Sequence, residues 1–396
     1  MNALTTHATE APQGREDDLA MLRASALAFV TGTVDHKRGR ALRNQLPGYD
    51  TAIHQQIAAL GWHGILLPER FGGLGLGFAE MAVVLEELGK GLMGEPLAAS
   101  VVLAGRALLH GDNEALKGQL LPALAQGKSL PCLAWQEEFG GIDAAAVTTR
   151  AQDTQSGVRI TGRKRFLAGA GAASGFMVSA RSAQGVGLYW VEPDAPGLAI
   201  SHEWRADGTP ATVLTLADVD VPLHRRAASP HTAVQAIERA VDEAAVMAAA
   251  EMLGVIRATL AITLDYMRTR VQFNKPIGSF QALQHRVVDL YIQQELTGAV
   301  VREATAVLDR EPAQATRRAI ASRAKARASD AGLRITREAI QLHGAIAIQD
   351  ECNVGLYVKR ALVLAAWLGN AGEHRRRFTR EQIAKEQHQQ QDQAAP

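Results

Sequence analysis

Cysteine is almost missing from this chain. Among its 396 residues only Cys132 and Cys352 occur. They lie too far apart, and too far from any histidine pattern, for a disulfide framework or a zinc site, so no metal is expected and a reducing compartment fits. Net charge is missing too: 42 Lys and Arg against 41 Asp and Glu leave +1, which excludes a broad nucleic-acid-binding face. No uninterrupted apolar run is long enough to span a bilayer. Residues 1–20 are polar and include Glu16, Asp17 and Asp18, a pattern unlike a secretory or transit leader. The expectation is a cytoplasmic protein with no membrane span and no nucleic-acid partner. A chain of this length divides into two or three domains.

What is present falls into three textures. Residues 19–30, a segment capped by Asp50, 78–91, 96–110 and a segment started by Asn113 carry helical apolar spacing. The glycines of Gly72-Gly73-Leu74-Gly75-Leu76-Gly77 miss the dinucleotide fingerprint, because Glu80 stands where its last glycine belongs. They are expected to serve backbone packing instead. From Leu130 short apolar runs alternate with turn residues, at 133–136, 158–161, 175–180, 186–191 and 211–219, which predicts a small barrel or sandwich. From Thr232 the texture returns to long helices, at 232–269, 282–308 and 313–342, with Ala244, Ala248 and Ala249 on one face. Small residues there allow tight helix packing and predict a bundle. The expected fold is therefore α+β: an N-terminal helical domain (1–129), a middle β-barrel or sandwich domain (130–229), a C-terminal four-helix bundle (230–386) and a disordered tail (387–396).

The most informative stretch is Arg270-Val271-Gln272-Phe273-Asn274-Lys275-Pro276-Ile277-Gly278-Ser279-Phe280-Gln281. Pro276 and Gly278 break the helix, and Ser279 is placed to cap the next one. Phe273 and Phe280 stand beside Arg270 and Lys275, so flat apolar faces adjoin fixed positive charge. That pairing suits a ligand with an aromatic part and a phosphate part. The run resembles the R-x-x-F-G-x-x-I-x-x-F-Q element of the acyl-CoA dehydrogenase family, with Asn274 in place of the glycine. Gln341-Leu342-His343-Gly344-Ala345-Ile346-Ala347 resembles that family's Q-x-x-G-G-x-G, with Ala345 and Ala347 in place of glycines. Lys164-Arg165-Phe166-Leu167-Ala168 resembles its flavin-backing strand, and Leu67-Pro68-Glu69 with the glycines that follow resembles its L-P-E-x-x-G-G-x-G. The family's T-E-P loop is poorly kept, with Gln136-Glu137-Glu138 standing there.

The resemblance covers almost the whole chain and is closest to the bacterial branch acting on unusual acyl-CoA thioesters. It implies FAD held by Arg270, Phe273, Gln281, Gln341 and Gly344 across a subunit boundary, with Gln136, Phe166 and Ala168 along the flavin. It also implies an acyl-CoA substrate, α,β-desaturation, electron-transferring flavoprotein as acceptor, and a homodimer, homotetramer or hetero-oligomer. His343, on an apolar turn, is expected to be structural. The chemistry needs a carboxylate to remove the α-proton, and the two positions that supply it in the family correspond to Leu368 and Ala244. Glu243 is the nearest candidate, although adjacent helix residues point about 100° apart, and its other role would be a pair with Arg239 at i, i+4 spacing. Glu251 shares a face with position 244 but lies about 10 Å along the axis. Three accounts stay open: Glu243 as base, a base supplied by a partner subunit so that this chain is a non-catalytic half, or an oxidase or oxygenase reaction on the same fold.

Overall fold

The computed structural model describes residues 11–138 and 141–394; the first ten residues, Phe139, Gly140 and the last two lie outside the described residues. The N-terminal region contains α1 (Ala11–Thr33), α2 (His36–Ala41), α3 (Thr51–Ala59), α4 (Phe78–Lys90), α5 (Arg106–Leu109) and α6 (Glu114–Ala125). The Asp50 carboxylate accepts from the backbone N–H groups of Ala52 and Ile53 at the start of α3, and Asn113 accepts from Leu116 at the start of α6. Each cap satisfies N–H groups that the first turn leaves without a partner. The helix expected over 96–110 is π-helical over Ala98–Gly105 before α5 follows. The glycines after Leu67 serve packing: a Cβ on Gly73 would fall 2.0 Å from the carbonyl oxygen of Leu67.

The middle region is an eight-stranded sheet of β1 (Pro131–Ala134), β2 (Arg150–Asp153), β3 (Gly157–Ala168), β4 (Gly175–Ser182), β5 (Gly185–Val191), β6 (Leu198–Trp204), β7 (Pro210–Pro222) and β8 (Arg226–Ala228). The pairing path is β6-β7-β3-β2-β4-β5-β8, and β1 joins β4 in parallel. Strands β2 and β6 escape sequence reading because neither alternates cleanly. In β2 only Ala151 is buried, and β6 is exposed or half-buried along its length. Strand β3 runs well past its expected end, with register breaks between Ile160 and Gly162 and between Lys164 and Leu167. Such breaks re-aim side chains, and the second one carries Phe166.

The C-terminal region holds α7 (Ala233–Thr269), a two-stranded hairpin β9 (Val271–Gln272) and β10 (Lys275–Pro276), then α8 (Gln281–Leu308), α9 (Gln314–His343), α10 (Val354–Ala366) and α11 (Ala371–Ala394). Two expectations change here. The segment expected as a disordered tail continues α11 to Ala394. Ser279 does not cap α8; its hydroxyl donates to the Pro276 carbonyl at 2.7 Å, tightening the hairpin exit instead.

By length and composition α7 matches a membrane span, contrary to the expectation that no such run exists. Yet 78% of its apolar window is buried inside the protein, the signature of a core helix. Helix α7 crosses α4 at backbone contact: a Cβ on Gly254 would lie 1.9 Å from the Glu86 carbonyl, and one on Gly89 would lie 2.3 Å from the Glu251 carbonyl. Any larger residue would push the helices apart. As a result the N-terminal and C-terminal helices share one continuous core, from Ala26 to Leu368, while the sheet keeps a second core around Ile160, Phe176 and Leu214.

Candidate active site

At one end of the bundle the ring of Tyr266 stacks on His343, with centroids 4.4 Å apart and planes 20° apart, and its hydroxyl donates to the His343 carbonyl. Nδ1 of His343 lies 2.8 Å from the Ala339 carbonyl, so this histidine is a structural joint. The joint brings the ends of α7 and α9 together, and with them Arg270 and the Gln341–Gly344 segment. The hairpin after Arg270 turns through Phe273 and Asn274 at φ 53° and 60°. Two left-handed residues make a type I′ turn, whose twist matches a two-residue hairpin. Asparagine tolerates that conformation, which explains its replacing a glycine there, whereas phenylalanine is strained by it. Phe273 is nonetheless 86% exposed, with Phe280 edge-on at 6.0 Å. Arg270, Gln281 and Gln341 are exposed as well, and Arg270 has no ion pair among the described residues. A Cβ on Gly344 would meet no atom within 4 Å, and Ile348 beyond it is 80% exposed. This end of the molecule is an open, apolar and basic platform.

A second group sits at the far end of β3. Phe166, at φ 63°, is half-buried beneath the Arg165 guanidinium, 5.0 Å above its ring. Ala168 is half-buried two residues on, and Gln136 is buried with its amide donating to the Gly141 carbonyl. A pair that sequence reasoning missed fixes both segments. The fully buried Lys164 ammonium donates to Glu137 at 2.8 Å and to Ser179 at 2.9 Å. The signal was present: Lys164 occupies an inward position of β3, in line with Val158 and Ile160. Burial pushes the Lys164 amine down to about 8 despite Glu137. Burial alone would raise the Glu137 carboxyl, but donors on Lys164, Thr148 and Thr149 bring it down to about 2 from an ordinary 4.5. A depressed carboxyl contributes stability that is complete above the unfolded value and is lost as pH falls through the folded one. The urea midpoint difference between wild type and Glu137→Gln is therefore expected to be largest above pH 4.5 and to shrink towards pH 2. A difference independent of pH across that window would contradict the pairing.

Beside the end of β3 lies a cleft lined by Glu95, Ala168, Gly169, Glu251, Arg360 and Trp367. Trp367 opens the turn whose next residue, Leu368, is 1% exposed at φ 59°. Two buried groups clamp this turn. Lys325 donates to the carbonyls of Ala365 and Gly369 at 3.2 and 3.0 Å, and Nε2 of His374 lies 2.8 Å from the Leu368 carbonyl. Burial drives Lys325 down to about 7 and His374 down to about 4. Lys325 was legible as the one cation in the alanine stripe Ala321, Ala324 and Ala328.

Glu243 is not in this cleft. It points from α7 to the N-terminal helices, where Arg106 donates to both of its oxygens at 2.7 and 3.1 Å. Arg239 donates to Oε1 at 3.0 Å, and Nε2 of His110 lies 3.1 Å from the same atom. Although burial opposes it, Arg106 and His110 hold this carboxyl well below the ordinary carboxylate range. A carboxylate with this many donors is a poor proton acceptor, so the geometry corrects the expectation of a base and makes Glu243 an anchor. Asp242 is likewise consumed, by Arg317 and Arg377. Ala244 is fully buried.

Comparison with known proteins shows the family. Family models described as acyl-CoA dehydrogenase N-terminal, middle and C-terminal domains match residues 16–128, 132–219 and 234–383. The acyl-CoA dehydrogenase IpdE2 of Mycolicibacterium smegmatis is 31% identical over 366 residues, covering 92% of this chain and 99% of that protein. Among solved structures, a variant of the Tcur3481-Tcur3483 steroid ACAD is 30% identical, with a TM-score of 0.84 over 93% of this chain and 98% of that one. The ChsE4-ChsE5 complex from Mycobacterium tuberculosis is 26% identical, with a TM-score of 0.83 over 97% and 99%.

Proposed function

The chain belongs to the acyl-CoA dehydrogenase family, and we propose that it is an FAD-dependent subunit that α,β-desaturates an acyl-CoA thioester together with a second chain. FAD is the cofactor. The residues present fit it: Arg270 and Phe273 offer a guanidinium for a diphosphate and a ring for a flat ligand. Gly344 leaves open space for a ligand, and the side chains of Gln281 and Gln341 are exposed. Phe166, Ala168 and Gln136 line the strand end that adjoins the cleft. When bound, FAD supplies a two-electron acceptor, flavin N5, for the β-hydrogen that leaves as hydride. Electron-transferring flavoprotein is the acceptor to test for the stored electrons.

The cleft beside Ala168, Gly169 and Trp367 carries this reading, because it adjoins the end of β3 that the resemblance sets against the flavin. The thioester's α-proton needs an aimed carboxylate, and each carboxylate lining the cleft is held by an arginine, although Oε2 of Glu95 keeps no hydrogen-bond partner among the described residues. Glu95 accepts from Arg38 and Glu251 from Arg360. With Glu243 locked and Leu368 in the turn, the proton acceptor is assigned to a partner chain. Two features favour an assembly: the open hairpin end, and a stripe on α8 where Val288, Tyr291, Ile292 and Leu296 are each about half exposed. These positions share one helix face. Two solved relatives named for two components, Tcur3481-Tcur3483 and ChsE4-ChsE5, point the same way.

The test is purification alone and co-expression with acyl-CoA dehydrogenase-like chains. The expected result is full flavin content and anaerobic bleaching by an acyl-CoA only in the mixed assembly. A lone chain that binds FAD and bleaches would return the base to this polypeptide, with Glu251 the first residue to substitute. Oxygen uptake with an added flavin reductase, and no bleaching, would favour an oxygenase.

A further inference from the structure

Helix α10 ends beside the cleft, and its last turn leaves carbonyls that no helical N–H can reach. The chain leaves the helix at Trp367, extended at φ −64° and ψ 136°. The position just past a helix end, which usually falls to a glycine, is here Leu368 at φ 59°, and Gly369 follows at φ 96°. A Cβ on Gly369 would lie 2.6 Å from Ile142, so glycine is needed there. Leucine in the left-handed region costs about 1–3 kcal/mol and persists only where its surroundings over-determine it.

Two buried side chains do this. Nε2 of His374 lies 2.8 Å from the Leu368 carbonyl, with Nδ1 3.3 Å from the Ser322 hydroxyl. The Lys325 ammonium donates to the Ala365 and Gly369 carbonyls, one on each side of the strained leucine, and to Ser329 at 3.1 Å. An ammonium has three N–H donors, and all three are taken up. Its charge also suits the negative end of α10. Trp367 lies between the two bonded carbonyls in the chain and lines the cleft together with Leu364. Slack in these bonds therefore moves the cleft wall.

We propose that Lys325 is a positioning residue: its bonds to the Ala365 and Gly369 carbonyls hold the turn, and with it the Trp367 wall of the cleft, in the geometry that aligns an acyl-CoA for reaction. The inference rests on the acyl-CoA reading above and adds to it a residue that acts through the turn. The surroundings make its charge adjustable. Burial brings the amine down from 10.5 to about 7, although Glu373 on α11 favours the ammonium. His374, beside both Lys325 and Arg377, is held near 4 and stays neutral, and Arg377 is paired with Asp242 of α7. The end of α10 meets Lys325 with carbonyls.

Folding and positioning respond to that charge with opposite signs. Between pH 7 and 10.5 the unfolded chain keeps a proton that the folded chain releases, so the stability contributed by this group rises with pH. The clamp weakens over the same range, because a neutral amine donates without the charge that strengthens its hydrogen bonds. A lysine serving the fold alone would leave the rate per bound flavin independent of its protonation.

The test uses the flavin-loaded assembly, mixed anaerobically with whichever of a straight-chain, a dicarboxylic and an alicyclic acyl-CoA bleaches wild type fastest. The first-order bleaching rate at saturation counts only flavin-bearing sites, so loss of folded protein does not enter it. Lys325→Met is expected to slow bleaching at least about tenfold at about pH 6.5, with KM little changed. Lys325→Gln, which keeps an N–H donor without charge, is expected to lag wild type below pH 7 and to approach it towards about pH 9. Wild-type speed in Lys325→Met, or a ratio of wild type to Lys325→Gln that is constant with pH, overturns the proposal. If neither variant folds, a wild-type rate that falls above pH 7 upholds it, and one that does not fall overturns it. Failure of every thioester to bleach wild type counts against desaturation instead. The flavin absorbance shift at saturating 2-enoyl-CoA then makes the same comparison, and a pH-independent ratio, or no shift at all, overturns the positioning role.

Discussion

Glu243→Gln is expected to lower folding stability by roughly 3–5 kcal/mol, the cost of removing one partner from a buried ion pair, while leaving flavin bleaching of the folded assembly intact. The carboxylate is 1% exposed and faces Arg106, Arg239 and His110 together. A neutral amide of the same shape takes from the buried Arg106 guanidinium its ion-pair partner inside the contact between α7 and the N-terminal helices, and leaves Arg239 only Glu311, at 3.7 Å. Burial already holds His110 below its ordinary pKa against the pull of Glu243, so without that charge the imidazole cannot supply the balance. Urea unfolding followed by circular dichroism reads the stability, and anaerobic titration of the flavin reads the chemistry. Normal stability with abolished bleaching would restore Glu243 as the base.

Arg270→Ala is expected to empty the flavin site without unfolding the bundle. Arg270 ends α7 with its backbone bonded to Tyr266 and Ile277, bonds that alanine keeps, and its exposed side chain has no ion pair among the described residues to lose. What alanine removes is a charge-assisted hydrogen bond to a phosphate, worth about 1.5–3 kcal/mol, or on the order of tenfold to a hundredfold in FAD affinity. Flavin content after gel filtration, with thermal unfolding as control, measures it. Full flavin retention would remove Arg270 from the site, and a collapse in unfolding temperature would make it a structural residue.

The two expectations separate residues of different legibility. Arg270, Phe273, Gln341 and Gly344 stand in short motifs, where neighbours along the chain are also neighbours in space. The structure added why the motif survives Asn274: the I′ turn needs a positive φ, not a glycine as such. Phe166 and Ala168 could be picked out, but the bulge that aims Phe166 could not, since it arises from the pairing of β3 with β7. Ser279 shows the opposite failure, a sound local capping rule overridden by the hairpin that precedes the helix.

The family, the order helical, β, helical, and the lack of a carboxylate at positions 244 and 368 were all written in the linear chain, because periodicity, turn chemistry and residue identity are local properties. The surroundings of Glu243 and Glu251 were not, and emerged from packing alone. Arg106 meets Glu243 across 137 residues, and Arg360 meets Glu251 across 109. The character of a carboxylate depends on the donors and the dielectric around it, and those are set by parts of the chain that meet only once the helices and the sheet have packed.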